Sequence, residues 1–278
     1  MGNEQQLRAD IVEIGKYAWQ KGWVAANDGN ISVRLGDTGT FLCTPTGISK
    51  GMMTPGDLII VDTSGKKVEG TRERTSEIMM HLTVYAMRPE INAVVHFHPP
   101  LSTGFALAGR GLTEAILPEV IVNLGCVPLA PYGLPGTPAL SESLKPYIPS
   151  YDAILMGNHG AVCYASDLWK AYFRMETVEH TARIALVAEQ LGGAKVLPRE
   201  EVAKLFDSRS RYGIDTKNTA QPGCPAAAED LAAGIGCSVT SSNSSGTDEE
   251  KFEFTRAELI ALINQAVAAA TRDLGRNS

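Results

Sequence analysis

What this chain of 278 residues lacks narrows its class first. It has no basic patch. With 25 Lys and Arg against 31 Asp and Glu, the formal net charge is −6, an ordinary balance for a soluble protein and no footprint for nucleic acid. No apolar run approaches the ~18 residues of a membrane span, so no membrane partner is expected. The opening Met1-Gly2-Asn3-Glu4-Gln5-Gln6 has no basic start followed by an apolar stretch, and reads as lacking a secretory signal. The five cysteines, Cys43, Cys126, Cys163, Cys224 and Cys237, are odd in number and form no C-x-x-C pair. That argues against a disulfide framework and for a reducing, cytoplasmic compartment. Apolar residues make up 44% of the chain, enough for the core of one large domain or of one domain with an appendage.

Histidine is as scarce as cysteine, five in all, and its placement is the most informative feature present. His96-Phe97-His98 ends an apolar run, Ile91 to Val95, that reads as a strand. Side chains on a strand alternate with period two, so both imidazoles point to the same side. His159 ends a second run, Ala153 to Met156, and Gly160 follows it, where backbone can approach closely. Two strand ends bringing three imidazoles to one point, with the carboxylate of Glu77 upstream, make a divalent-metal site with a coordination position left open, as catalysis needs. The plainer alternative is three separate hydrogen-bonded histidines. Three of five falling at such strand ends tells against it.

The remaining pattern is mixed α/β, a sheet covered by helices. Helices are expected at Leu7–Lys21, Ser76–Met87, Ser102–Ala108, Pro138–Leu144 and Asp167–Leu191. Strands are expected at Ile31–Val33, Phe41–Thr44, Leu58–Val61, Val120–Leu124 and Ala153–Met156. Composition changes after about Asp215. Residues 216–252 are rich in Ala, Gly, Ser and Thr and read as a flexible linker. Within 253–278, Thr255 and Glu258 form a capping box, and Leu259, Ile260, Ile263, Ala266, Val267, Ala270 and Leu274 line one face of an amphipathic helix. The expected organisation is therefore a catalytic domain at 1–215, a linker at 216–252 and a terminal helix at 253–278.

Asn30, Thr46, the backbone at Gly47, Thr75 and Ser76 offer amide, hydroxyl and N–H donors. Ser76 stands at the start of a predicted helix, where free N–H groups and the dipole favour an anion. Together they read as a phosphate cradle that requires no lysine. Taken singly, each is better explained by turn and capping chemistry. His81 and His180 fall on predicted helices and read as packing or surface residues.

Several segments together resemble the class II aldolase/adducin family, most closely its fuculose-phosphate aldolase branch. They are Gly29-Asn30-Ile31-Ser32, Thr44-Pro45-Thr46-Gly47-Ile48, Thr75-Ser76-Glu77, Val94-Val95-His96-Phe97-His98, Ala130-Pro131-Tyr132 and Asn158-His159-Gly160, spread over roughly Leu7 to Ile214. The resemblance implies a three-layer fold with a central, mostly antiparallel sheet flanked by helices, and a homotetramer with sites between subunits. It implies one Zn2+ per subunit on His96, His98, His159 and Glu77, and a substrate phosphate on Asn30, Thr46, Gly47, Thr75 and Ser76. Glu77 takes the family's catalytic carboxylate position, and Tyr212 matches its C-terminal tyrosine. A second family tyrosine does not carry over. Its place falls near Leu117, with Glu119 and Tyr132 as candidate substitutes.

The implied reaction is retro-aldol cleavage of a 6-deoxy-ketose 1-phosphate, such as L-fuculose or L-rhamnulose 1-phosphate, to dihydroxyacetone phosphate and lactaldehyde. The alternatives are a pentulose-5-phosphate 4-epimerase, against which Glu77 rather than Asp counts, and a sugar-phosphate dehydratase. From another class comes a non-catalytic adducin-like scaffold, which would lack the metal set. The tail resembles the encapsulation peptides of bacterial microcompartment cargo. It implies shell proteins as partners and a location inside such a compartment, where a reactive aldehyde would be confined.

Overall fold

The computed structural model describes residues 2–212 and 214; the expected linker and terminal helix lie outside the described residues. The elements are α1 (Gly2–Gln20), β1 (Asn30–Arg34), β2 (Thr40–Cys43), β3 (Ile59–Asp62), β4 (Lys67–Glu69), α2 (Ile78–Met87), β5 (Ala93–Phe97), α3 (Pro100–Leu107), α4 (Pro118–Asn123), β6 (Leu129–Ala130), α5 (Pro138–Leu144), β7 (Ala153–Met156), β8 (Gly160–Ala165), α6 (Leu168–Gln190) and α7 (Arg199–Ser208). A 3-10 turn, Arg209–Tyr212, follows α7.

Eight strands form one sheet in the order β4-β3-β2-β1-β5-β8-β7-β6. Every pairing is antiparallel except β6 with β7. Alternation along the strands splits the apolar residues between two faces. On one face Val95, Phe97, Leu155, Ala161 and Cys163 pack with Ile11 and Ile14 of α1 and Ala171, Met175 and Val178 of α6. On the other, Val94, Ile154, Val162 and Tyr164 pack with Ile78, Leu82 and Tyr85 of α2 and Leu140 and Leu144 of α5. The sheet is thus the middle of three layers, as expected, and it is buried on both sides. That is why β5 and β7 read as unbroken apolar runs rather than alternating ones.

One expected element changes type. Val120–Leu124, read as a strand, is helical as α4. A short apolar run cannot be assigned by periodicity alone. Here Pro118 starts a helix with its fixed φ, and packing overrides the β-branched residues: Val120 joins the main core while Ile121 meets Val202 of α7. Among the thiols, Cys43 and Cys163 are free and buried.

Candidate active site

β5 lies at the centre of the sheet between β1 and β8, and its register places His96 opposite Asn30 on one side and Val162 on the other. His96 is fully buried on the α2 face, and His98 follows just beyond the strand end, part-exposed. β7 and β8 form a hairpin whose turn holds His159: its N–H donates to the Met156 carbonyl at 3.1 Å, and Asn158 takes a positive φ of 54°. Gly160 is required by close approach. A Cβ there would stand 2.6 Å from both His98 Cδ2 and the Phe97 carbonyl oxygen. Gly29 is held likewise, at φ +72°, against His96 O and the Phe97 ring.

The three imidazoles converge, with one nitrogen from each lying within 4.8 Å of the others. Glu77, the N-cap residue of α2, joins them. Its Oε2 is 3.4 Å from His96 Nε2, and its Oε1 is 3.1 Å from His159 Nε2. The tautomers follow from the outer partners. His96 Nδ1 faces the Ala161 carbonyl at 2.9 Å and must donate to it. His98 Nδ1 faces Asp28 Oδ2 at 3.5 Å. Both rings therefore turn an Nε2 lone pair inward, and these two atoms are 3.1 Å apart. Two lone pairs and a carboxylate at this separation repel one another unless a cation lies among them. The donor set, three imidazoles and a carboxylate with outer partners fixing the rings, fits a divalent transition ion.

The electrostatics agree. Burial lowers the pKa of His96 far below its ordinary value and that of His98 below it, so both rings are neutral and able to ligate. Burial alone would raise the Glu77 carboxyl. Positive charge at the His96 and His159 end of the carboxylate and the hydrogen bond from the Asn30 amide outweigh it and hold Glu77 well below the usual carboxylate range; with the rings neutral, that charge is one a bound cation would supply.

Asn30 is 3% exposed, and its amide nitrogen is committed to Glu77 Oε2 at 2.7 Å and Thr75 Oγ1 at 3.3 Å. A bridge between Pro45 and Arg74, and a bond from Thr46 N to Glu73 O, lay the Thr46–Gly47 turn beside the segment leading to Ser76. Thr46, Gly47 and Ser76 are exposed, whereas Thr75 is buried. Gly136 packs against Ser76, with an ideal Cβ 3.2 Å from Ser76 Cβ, so the loop after β6 borders the same cradle. Tyr212 closes the turn anchored by Arg209, whose guanidinium donates to the Ile121 carbonyl at 2.8 Å. Its side chain lies outside the described residues.

Sequence reasoning missed three contributors. Asp28 orients His98. Lys50 is buried, and its Nζ donates to Asn27 O and Ile48 O at 3.0 and 3.2 Å, tying the Asp28 loop to the Thr46–Gly47 turn. Burial lowers its pKa to about 8 against an opposing pull from Asp28. His81, read as a packing residue, is fully buried directly behind Asn30. A signal existed for it: residues four apart share a helix face, and His81 is four beyond Glu77. Asp28 and Lys50 gave none.

A three-layer fold with a centre of three histidines and one carboxylate, set beside a donor-lined cradle, defines a protein built to hold a divalent metal at an open site. The chain matches the Class II Aldolase and Adducin N-terminal domain over residues 9–186, and it belongs to that family. It is 35% identical over 211 residues, 74% of this chain and 94% of the relative, to a 3-oxo-tetronate 4-phosphate decarboxylase of Pectobacterium atrosepticum. It is 31% identical over 211 residues, 75% of this chain and 98% of the relative, to a 5-deoxy-D-ribulose 1-phosphate aldolase of Bacillus thuringiensis. A solved L-fuculose 1-phosphate aldolase superposes with a TM-score of 0.69 at 29% identity, covering 74% of this chain and 96% of that one.

Proposed function

We propose that this enzyme cleaves a 6-deoxy-ketose 1-phosphate, L-fuculose or L-rhamnulose 1-phosphate, to dihydroxyacetone phosphate and lactaldehyde, with Zn2+ as its metal. The observation that carries the reading is Glu77. It is a buried carboxylate with one oxygen fixed by Asn30 and the other, Oε1, facing the imidazoles without a hydrogen-bond donor of its own. A cation held by His96, His98 and His159, with Glu77 beside them, would polarise the substrate's ketone as a Lewis acid. Thr46, the Gly47 backbone and Ser76 hold the phosphate, with Asn30 and Thr75 behind them supporting the pocket wall. Glu77 exchanges the proton at C3: in the condensing direction it removes that proton from dihydroxyacetone phosphate, and in cleavage it returns it. Tyr212 serves the oxygen on C4, which loses its proton as the C3–C4 bond breaks and the electron pair passes to C3. The active assembly is a homotetramer. The segment 253–278 carries the enzyme to microcompartment shell proteins.

One observation favours a second reading, decarboxylation of a 3-oxo-tetronate 4-phosphate. Loss of CO2 from the carbon beside that ketone leaves the same three-carbon enediolate and needs no base for a departing aldehyde. One of the two family tyrosines that would serve such a base is replaced here near Leu117, which packs against the core, leaving Tyr212 alone. A panel of ketose 1-phosphates and 3-oxo-tetronate 4-phosphate, scored for dihydroxyacetone phosphate and for aldehyde or CO2, separates the two. Turnover of a deoxyketose 1-phosphate with aldehyde release supports the first reading. CO2 release without aldehyde replaces it with the second. In Glu77→Gln, proton–deuterium exchange at C3 of dihydroxyacetone phosphate should fall by at least ~100-fold, because an amide cannot act as the base. Unimpaired exchange would remove Glu77 from the role.

A further inference from the structure

Behind Glu77 a hydrogen-bonded chain runs away from the site into the core. Asn30 Nδ2 reaches Glu77 Oε2, Asn30 Oδ1 faces His81 Nε2 at 2.5 Å, and His81 Nδ1 faces Ser32 Oγ at 2.7 Å. Ser32 Oγ lies 2.8 Å from the Tyr85 hydroxyl, which also donates to the Ser32 carbonyl at 2.9 Å. Glu77, Asn30, Ser32, His81 and Tyr85 are all buried, so no group in the chain finds its partner in solvent.

The direction of each bond from Glu77 as far as Ser32 follows from the carboxylate. An ionised carboxylate only accepts, so Asn30 must turn its NH2 toward Glu77 and its carbonyl oxygen toward His81. His81 must then carry its proton on Nε2 and accept on Nδ1. Ser32 Oγ–H donates to that Nδ1, and the single Tyr85 hydroxyl proton is shared between Ser32 Oγ and the Ser32 carbonyl. The alternative orientation of Asn30 would set its carbonyl oxygen against Glu77 Oε2 and its NH2 against His81 Nε2. Two acceptors would then face each other at 2.7 Å beside the imidazoles.

We propose that His81 is a positioning residue: as a neutral Nε2–H imidazole backed by Ser32 and Tyr85, it locks the Asn30 amide so that its NH2 holds Glu77 Oε2 and leaves Oε1 turned to His159 and the metal position. Burial supports the neutral form, lowering the His81 pKa to about 4. The inference deepens the reading of Glu77 given above and rests on it.

The test uses the full-length protein with Co2+ alone as probe, so that it does not depend on which substrate is found. His81→Leu fills the space and removes the donor. His81→Gln restores an N–H near the position of Nε2. In His81→Leu, Co2+ should bind on the order of tenfold more weakly, with an altered visible absorption band, and His81→Gln should return both toward wild type. Once a substrate is in hand, kcat should fall in the Leu variant with KM nearly unchanged, and recover in the Gln variant. Wild-type Co2+ affinity and spectrum in a folded His81→Leu protein would overturn the proposal. So would a Gln variant as impaired as the Leu variant at equal thermal stability. If the Leu variant does not fold, Ser32→Ala provides the second arm: it removes the donor that sets the His81 tautomer and should shift the Co2+ band in the same sense, and an unchanged band would equally overturn the proposal. Failure of the substrate panel, by contrast, would leave the Co2+ comparison intact and fall on the functional reading alone.

Discussion

Glu77, His81 and His96 show how far a single residue's chemistry here depends on what is packed behind it. His81 is fully buried, and its pKa falls from the ordinary 6.5 to about 4. As pH drops, the unfolded chain takes up that proton first. The stability contributed by neutral His81 is therefore complete above about pH 6.5 and is lost progressively down to about 4. The difference amounts to about 3 kcal/mol. Urea midpoints at pH 7 and pH 4.5 should show a steep acid loss in the wild type and a shallower one in His81→Gln. Equal losses would detach the effect from His81. That His96 and His98 turn to one side was legible in the sequence because strand alternation dictates where two histidines two apart must point. Their tautomers were not, because those depend on the Ala161 carbonyl and on Asp28, which come from other segments of the chain.

Among the elements, those with long apolar runs were readable and those defined by their neighbours were not. β5, apolar up to His96, and β7 were found. β8 was missed, although its Gly160–Ala165 run is buried along its whole length, because Gly160, Ala161 and Ala165 dilute the β-branched signal. α4 was mistaken for a strand because its identity is set by Pro118 and by contact with α7. The β7–β8 hairpin is also where the site is least tolerant. In Gly160→Ala the added carbon would meet His98 Cδ2 and the Phe97 carbonyl at 2.6 Å. One of these is backbone and cannot give way cheaply. The variant should still fold, because the strand pairing is otherwise intact, but it should bind Zn2+ or Co2+ at least ~10-fold more weakly. Calorimetric titration checks this, and wild-type affinity would show that the hairpin can shift to accommodate the methyl group.

For the whole molecule, the described residues contain no helix long and apolar enough to cross a membrane. The match to the family covers residues 9–186, and the composition turns polar and small-residue-rich beyond about 215. If 253–278 is a targeting segment, removal of residues 220–278 should leave activity and oligomeric state unchanged. A fluorescent protein carrying residues 250–278 should co-localise with microcompartment shells, and Ile263→Glu should abolish that. If the segment instead stabilises the oligomer, the truncation should lower the assembled mass by light scattering, and the fusion should stay diffuse in cells that make shells.

The imidazoles and the groups proposed to meet the substrate's far end are carried by different kinds of structure. His96 belongs to a central strand bonded on both sides, and His98 and His159 to its immediate continuation and to the next hairpin. The Thr46–Gly47 turn follows β2, the loop holding Gly136 follows β6 and the Arg209–Tyr212 turn follows α7, so none of them is part of a strand. Inheritance can therefore act on the two parts separately. Substitutions in the surrounding loops can change which group leaves while the strands that carry the imidazoles stay as they are. Relatives of comparable similarity that release CO2 in one case and an aldehyde in another are what such a division of labour produces.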